Sequence, residues 1–485
     1  MERKWWTLIA VCVAIFMLLL DITVVNVALP DIQRSLHSSF QDLQWVVDAY
    51  SLTLAAFLLT GGALADLLGR RRLFVIGLVV FTGASMVCGL SSSALMLNLA
   101  RGVQGIGGAL MYATSLALIA QAFHGRDRGT AFGVFGAVTG AAVAVGPLVG
   151  GVITSGIGWE WIFFVNVPIG MIAVLVTLAK VVESSDPGAT RVDWAGLVTF
   201  SGSLFMLVFA LVRGNDTGWG STQIVALLTG AAVLFALFLF AEIRQERPML
   251  DLSLFRRPAF AGANIVAFTM AASAFSMFLY LTLYVQEVLH YSPLQAGLRF
   301  LPITLLSFFV APVAGRLSVR VPIRLLLGVG MLFVGSGLLA MTAASATSGW
   351  TALIPGFMLQ GIGIGLVNPP LASAAIGVVP PARSGMASGA NNTARQVGIA
   401  TGIAALGAVF QHDIAHGALA HHTYRVAFTG ALDNILEIAA AIAFLGAIAG
   451  FALVRSKDFV GFHAPAGEAT ESAPVGVEPA RVAAR

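Results

Sequence analysis

Charge is scarce in this chain. Only 10% of its 485 residues are charged, and lysine occurs three times, as Lys4, Lys180 and Lys457. None of the three follows a glycine, so no Walker-type phosphate loop exists and ATP is excluded as its energy source by that route. Cysteine is scarcer still. Cys12 and Cys88 both sit inside apolar runs, which rules out a disulfide framework and gives no redox clue. There is no His-Glu-x-x-His zinc signature and no Gly-x-Ser-x-Gly elbow. Enzymatic chemistry, a cofactor and a bound metal are therefore not expected.

What is abundant is hydrocarbon. Hydrophobic residues make up 58% of the chain, together with 53 glycines, which implies an all-α integral membrane protein with many spans. The start, Arg3-Lys4 before an apolar run, has the look of a secretory signal, but the run is too long, contains Asp21 and lacks a small-residue cleavage site. It reads as an uncleaved first span. Fourteen apolar runs of spanning length follow one another: Leu8–Leu29, Trp45–Leu64, Leu73–Leu90, Ala94–Phe123, Ala131–Ser155, Ile162–Val182, Trp194–Val212, Ile224–Ile243, Phe260–Val285, Leu298–Val313, Leu325–Ala343, Trp350–Ile376, Gly389–Phe410 and Leu432–Val454.

Positive residues collect in cytoplasmic loops, and this tests the count. With the N-terminus inside, 21 of the 27 basic residues fall on the inner side. Arg34, Arg213 and Arg425 fall outside, and Arg101, Arg299 and Arg395 lie within spans. Both termini are thus expected in the cytoplasm, in a cell (inner or plasma) membrane. The net charge of +4 reports this topology, with membrane lipid rather than nucleic acid as the partner.

The sequence also repeats itself. Gln104-Gly105-Ile106-Gly107 recurs as Gln360-Gly361-Ile362-Gly363, an offset of 256 that also maps Gly146 onto Gly402 and Gly151 onto Gly407. At an offset of 253, Gly62, Leu64 and Arg71 map onto Gly315, Leu317 and Arg324. Two six-span halves are implied, residues 1–182 and 259–457, with an insert of two spans at 183–258 and a tail at 458–485 that lacks any periodic pattern and is expected to be disordered. Paired halves with a site between them are a recurrent plan for secondary transporters, which work by rocking one half on the other.

Asp21 puts a carboxylate where hydrocarbon is expected, in Leu20-Asp21-Ile22-Thr23-Val24-Val25-Asn26-Val27-Ala28-Leu29-Pro30. Such an acid costs about 2.5 to 3.5 kcal/mol on insertion scales, so it must face protein or water. It lies about 12 Å from the end of its span at 1.5 Å per residue, and Arg101 lies at nearly the same depth in the fourth span. An ion pair is expected, read either as a permanent structural bridge or as a proton site. In the fifth span Gly129, Gly133, Gly136, Gly140, Gly146 and Gly150 recur mostly at three- and four-residue intervals, lining one face with small residues. They read as static packing or, taken with Pro147, as a moving interface.

Five stretches carry a family resemblance over nearly the whole chain. These are Leu20–Pro30; the loop Gly62-Ala63-Leu64-Ala65-Asp66-Leu67-Leu68-Gly69-Arg70-Arg71-Arg72; Arg101 with Gln104, Gly105 and Gly107; Gly140 through Gly146-Pro147-Leu148-Val149-Gly150-Gly151; and Trp159-Glu160-Trp161-Ile162-Phe163-Phe164-Val165-Asn166-Val167-Pro168-Ile169-Gly170. The chain resembles the fourteen-helix drug:proton antiporters of the major facilitator superfamily, its multidrug resistance exporter branch. Glu160 departs from the pattern, which usually has Arg there. The resemblance implies proton coupling through Asp21 tuned by Arg101, a second titratable site at Asp48, an inner gate at Asp66, Gly69 and Arg70, and an antiporter motif at Gly140, Gly146, Pro147, Gly150 and Gly151.

Other residues stay open. Asp48 is either a titratable site or a hydrated acid near the span's end. Asn26, Gln104, Asn391, Asn392 and Arg395 are candidates for a substrate cavity, the last three alternatively for hydrogen bonds between helices. Glu287 and Arg299 either rim a cavity or pair with each other. Val319, Phe357 and roughly Ala274 stand where the second half would repeat Asp66, Arg101 and Asp21, so coupling is expected in the first six spans. His412, His416, His421 and His422 read as solvated loop histidines. The expected function is export of amphipathic or hydrophobic small molecules by a monomer that exchanges them for protons. A dedicated exporter of one metabolite, siderophore or lipid is the alternative, and a non-transporting sensor or scaffold a remote one.

Overall fold

The structure is a computed structural model that describes residues 2–123, 125–184, 193–245, 248, 250–318, 320–379, 384–419, 423–455 and 458. The tail beyond 458, Val319, His421, His422, the Asp66 side chain and the surroundings of Gly140 lie outside the described residues.

A segment without water around it must satisfy its own N–H and C=O groups, which makes each long apolar run a helix. They are α1 Arg3–Leu36, α2 Phe40–Leu68, α3 Arg70–Gly89, α4 Ala94–Ala122 and α5 Gly125–Gly156. Next come α6 Trp161–Lys180, α7 Trp194–Thr217, α8 Thr222–Arg244, α9 Pro258–Val288 and α10 Pro293–Leu317. The last four are α11 Ile323–Met341, α12 Ile354–Gly377, α13 Ser384–Leu419 and α14 Tyr424–Leu453. Thirteen are long and apolar enough to cross a membrane. The remaining one, α5, is 32 residues long and ends in the apolar stretch Val145–Gly156. The helices overrun the expected spans, because polar first and last turns continue the hydrogen-bond ladder. Ser39 and Ser292 start α2 and α10 with reciprocal capping boxes to Asp42 and Gln295, which satisfies backbone donors left over at a helix start.

Successive helices alternate in direction, so the start of α1 and the end of α14 share one face of the bundle, the terminal face; the other is the distal face. The packing of α1–α6 repeats in α9–α14: α2 on α4 as α10 on α12, α3 on α4 as α11 on α12, α1 on α5 as α9 on α13. Between the two sets, α2 packs on α13 and α5 on α10. The extra pair docks through α7, which lies on both α2 and α13, while α8 packs chiefly on α7.

Close approach of α5 depends on its glycines. A Cβ on Gly146 would collide with Thr23 of α1, and one on Gly150 would sit 2.9 Å from the Val24 carbonyl oxygen. Gly151 turns instead toward α10, where a Cβ would meet the Pro293 carbonyl oxygen at 2.7 Å. The two six-helix sets are tied at the distal end. Gln286 Nε2 donates to the Val27 carbonyl at 2.7 Å, the Leu294 N–H to Ser155 Oγ at 2.9 Å, and Gln44 Nε2 to the Ile403 carbonyl at 3.1 Å.

Replacing Gly146 by Leu should overpack the α1–α5 seam at a cost of about 1–3 kcal/mol. Gly83→Leu, at a position with nothing within 4 Å of a Cβ, should leave stability unchanged. Thermal unfolding of the two purified variants in detergent checks the contrast.

Candidate functional site

The centre of the first six helices is a polar network built from five of them. Asp21 of α1 is 3% exposed and Arg101 of α4 is 1% exposed. Arg101 Nη1 donates to Asp21 Oδ2 at 2.5 Å and to Gln104 Oε1 at 2.8 Å, while Nε donates to the Val46 carbonyl of α2 at 3.0 Å. The other carboxylate oxygen, Oδ1, accepts from Gln104 Nε2 at 2.9 Å and from Asn166 Nδ2 of α6 at 3.2 Å. Asn166 donates further to Ser85 Oγ of α3 at 3.0 Å, and Ser85 donates to the Phe163 carbonyl at 2.9 Å. The guanidinium lies over the Tyr50 ring, 4.3 Å from its centroid, a contact that holds the cation without adding a second charge.

Local sequence explains why these groups meet. Asp21 and Arg101 are at equal depth on adjacent helices, and Gln104 follows Arg101 by three residues, so both face α1. Residue 165 interrupts α6 between Trp161–Phe164 and Asn166–Lys180, and the second piece begins on Asn166 itself. Asn166, Ser85 and Tyr50 were not singled out from the sequence. An amide and a hydroxyl alone in apolar helices were the available signal, but their partners are about 80 and 145 positions away in the chain.

Asp48 is not the hydrated end-of-helix acid that one reading allowed. Since α2 starts at Phe40, Asp48 is two turns deep, 0% exposed, and neither carboxylate oxygen has a hydrogen-bond partner among the described residues. It lies one turn beyond Gln44, which reaches the Ile403 carbonyl of α13 beside the Tyr280 hydroxyl, 2.6 Å from the same oxygen.

At the terminal face, Gly69 joins α2 to α3 with φ +104°, a left-handed conformation that favours glycine. A Cβ there would also meet the Glu183 carboxylate at 2.8 Å. Glu183, just past α6, accepts the N–H groups of Arg71 at 3.0 Å and Arg72 at 3.1 Å, and the Arg70 N–H donates to the Ser184 carbonyl at 2.8 Å. A carboxylate thus caps the positive start of α3. Gly69 and Arg70 lie in this turn, whereas Asp66 shows only its backbone, in the last turn of α2.

The candidate cavity residues separate. Gln104 belongs to the Asp21 network, Asn26 donates to its own helix at Ile22, and Asn391 turns to the Ala263 carbonyl of α9 at 3.2 Å. Asn392 faces α4 of the first helix set, and Arg395, three residues on, reaches α12 of its own set. Asn392 Oδ1 accepts from the Tyr112 hydroxyl of α4 at 3.3 Å, and Arg395 Nη2 donates to Asn368 Oδ1 of α12 at 3.1 Å.

Glu287 and Arg299 do not pair. Glu287 lines a distal-face cavity of about 640 Å³ with Phe40, Asp216, Phe410 and Phe428, while Arg299 stacks over Tyr291, 3.4 Å from the ring centroid. His412 and His416 face each other at 4.1 Å, and no group of three metal-ligating side chains forms among the described residues.

Deleting one partner of the central pair should be costly, because the other charge stays buried. Arg101→Leu is expected to lose about 3–5 kcal/mol of stability, and Asp21→Asn on top of it to recover part of that loss. A double-mutant cycle on thermal unfolding measures both.

The sequence profile of the Major Facilitator Superfamily matches residues 11–403. Among curated proteins, the chain is 39% identical over 404 residues to multidrug resistance protein Stp of Mycobacterium tuberculosis, covering 83% of this chain and 75% of that one. It is 35% identical over 406 residues to the tetracenomycin C resistance and export protein of Streptomyces glaucescens, covering 84% and 76%. A third relative, puromycin resistance protein pur8 of Streptomyces alboniger, is 35% identical over 412 residues, covering 84% and 82%. With its many membrane-spanning helices arranged as two repeated sets, the chain belongs to the Major Facilitator Superfamily.

Proposed function

We propose that this protein is a secondary exporter that moves amphipathic or hydrophobic small molecules out of the cell in exchange for protons. The observation that carries this reading is the buried Asp21–Arg101–Gln104–Asn166 network. A carboxylate held in low dielectric by one cation and two amide donors is a group whose proton occupancy depends on how those partners are arranged. Resistance and export are also what the names of several relatives describe.

In this reading the terminal face is cytoplasmic, the protein works as a monomer, and residues 1–182 and 259–457 are halves that rock against each other around the 183–258 insert. The distal ties of Gln286, Ser155 and Gln44 keep the outer side shut, with the Gly146-Pro147 and Gly150-Gly151 region of α5 as the sliding seam. When these ties part, Arg101 and the amides shift off Asp21, which takes a proton from outside. Return to the present arrangement brings Arg101 back and expels that proton inward. Asp48, buried with no hydrogen-bond partner among the described residues, is the second proton-accepting group. The Asp66–Gly69–Arg70 turn, held by Glu183, is the inner gate.

Drug-induced dissipation of a preformed pH gradient in inside-out vesicles tests the coupling. Wild type should respond to several unrelated lipophilic compounds, and Asp21→Asn should abolish the response while the protein still reaches the membrane. An Asp21→Asn protein that exchanges protons for drug as well as wild type would sink this assignment. A response to one compound alone would point to a dedicated exporter.

Glu183→Gln should uncap α3 and lower stability by about 0.5–2 kcal/mol. It should also slow transport without changing which compounds are transported, as thermal unfolding and vesicle assays can show.

A further inference from the structure

Three guanidiniums lie within the spans of this protein, and two have evident uses. Arg101 is paired with Asp21, and Arg299 is stacked on Tyr291 and Trp350 near the distal face. Arg395 has neither arrangement. It sits eleven residues into α13, about 16 Å from the terminal face at 1.5 Å per residue. Its one hydrogen bond goes to a neutral amide oxygen, Asn368 Oδ1, its Nε is buried without a partner, and no carboxylate among the described residues is within ion-pair distance. The residue is nevertheless partly accessible.

The setting of this charge is shared between the two helix sets. Asn392, three residues before Arg395 and on the same helix face, receives the Tyr112 hydroxyl from α4. Asn368 is followed by Pro369 and Pro370 inside α12, where two missing N–H groups leave carbonyls without their helical donors. A molecule lodged beside Arg395 would therefore touch α4 on one side and α12 and α13 on the other. Rocking would change its surroundings.

We propose that Arg395 binds the acidic oxygen of an amphipathic organic anion, a carboxylate or phenolate on a hydrophobic frame, in the space between the two helix sets. This rests on the exporter reading above and names the charge class that the exporter takes. The guanidinium has five donors in a planar fork suited to two-point recognition of a carboxylate, and the contacts described occupy a small part of that capacity. Inside a membrane protein an intramembrane charge without a counter-charge is costly, and an incoming anion removes the cost. A cation placed there would add a second positive charge to the first. Asn368 and Tyr112 supply neutral polar contacts that tolerate varied frames, so the anionic group fixes one end of the ligand and the apolar helices accept the rest.

The test uses the purified protein and two probes on one frame, 1-pyrenebutyrate and its uncharged methyl ester, with binding read from pyrene fluorescence. Wild type should bind the carboxylate about tenfold more tightly than the ester, the range expected of a charge-assisted pair in a partly desolvated site. Arg395→Gln should bring the two affinities together, and Arg395→Lys should keep part of the difference. Asn368→Asp provides an independent arm: it hands Arg395 a carboxylate of its own, preserves the fold, and should erase the preference with Arg395 still present. The inference is overturned if wild type binds neither probe or both alike, or if the variants weaken both probes by the same factor. Proton-driven flux of the same probes in proteoliposomes separates the two readings. Preference without flux would remove the exporter and keep the site, whereas flux of both probes at a ratio unchanged in Asn368→Asp would remove the site and keep the exporter.

Discussion

A single carboxylate in a low dielectric dictates the arrangement of the first six helices. Ionised, Asp21 must be matched by a cation and by donors for its remaining lone pairs, or the desolvation cost goes unmet. The protein draws these from separate helices: Arg101 and Gln104 from α4, Asn166 from α6, with Ser85 of α3 steadying the amide and the Val46 carbonyl of α2 steadying the guanidinium. Five helices are therefore registered against one another by one charge.

The second set of helices shows what the fold becomes without that charge. Phe357 stands at the position equivalent to Arg101, fully buried and 5.6 Å from the Phe300 ring, which in turn lies 5.6 Å from Phe278. Ala274, near the Asp21 equivalent, is also fully buried. Gln360, equivalent to Gln104, is retained at 0% exposure, yet neither end of its amide finds a partner among the described residues. Aromatic packing there fills the place that a polar network holds in the first set, although the helices of both sets follow one plan.

Much of this is legible in the sequence. The fourteen apolar runs coincide with helices because hydrocarbon leaves the backbone one economical way to span. The meeting of Asp21 and Arg101 followed from depth alone, since both could be counted from their span ends. Depth says nothing about rotation, however. Asn391 and Arg395 are four residues apart, yet one turns to α9 and the other to α12, and Asn26 bonds its own helix. Asp48 was placed too shallow because the polar first turn Phe40–Gln44 continues the helix beyond the apolar run. Asn166 stands in the Trp159–Gly170 stretch that carries the family resemblance, but its role beside Asp21 depends on the interruption of α6 before it, which spacing alone does not reveal. Glu183 carries no signal of its own in the sequence, since only the turn at Gly69 brings the start of α3 to it.

The docking of α7 makes the molecule lopsided. The α2–α13 seam is covered from outside by α7, with α8 behind it, whereas among the described residues neither inserted helix packs substantially on α5 or α10. Hydrophobic compounds dissolved in the bilayer approach sideways, along the plane of the lipid. On the α7 side they meet a second wall of protein, while on the other they meet a seam built on glycine and proline, where Gly151 and Gly297 let the backbones touch. The inserted helices thus give the transporter a front and a back within the membrane plane.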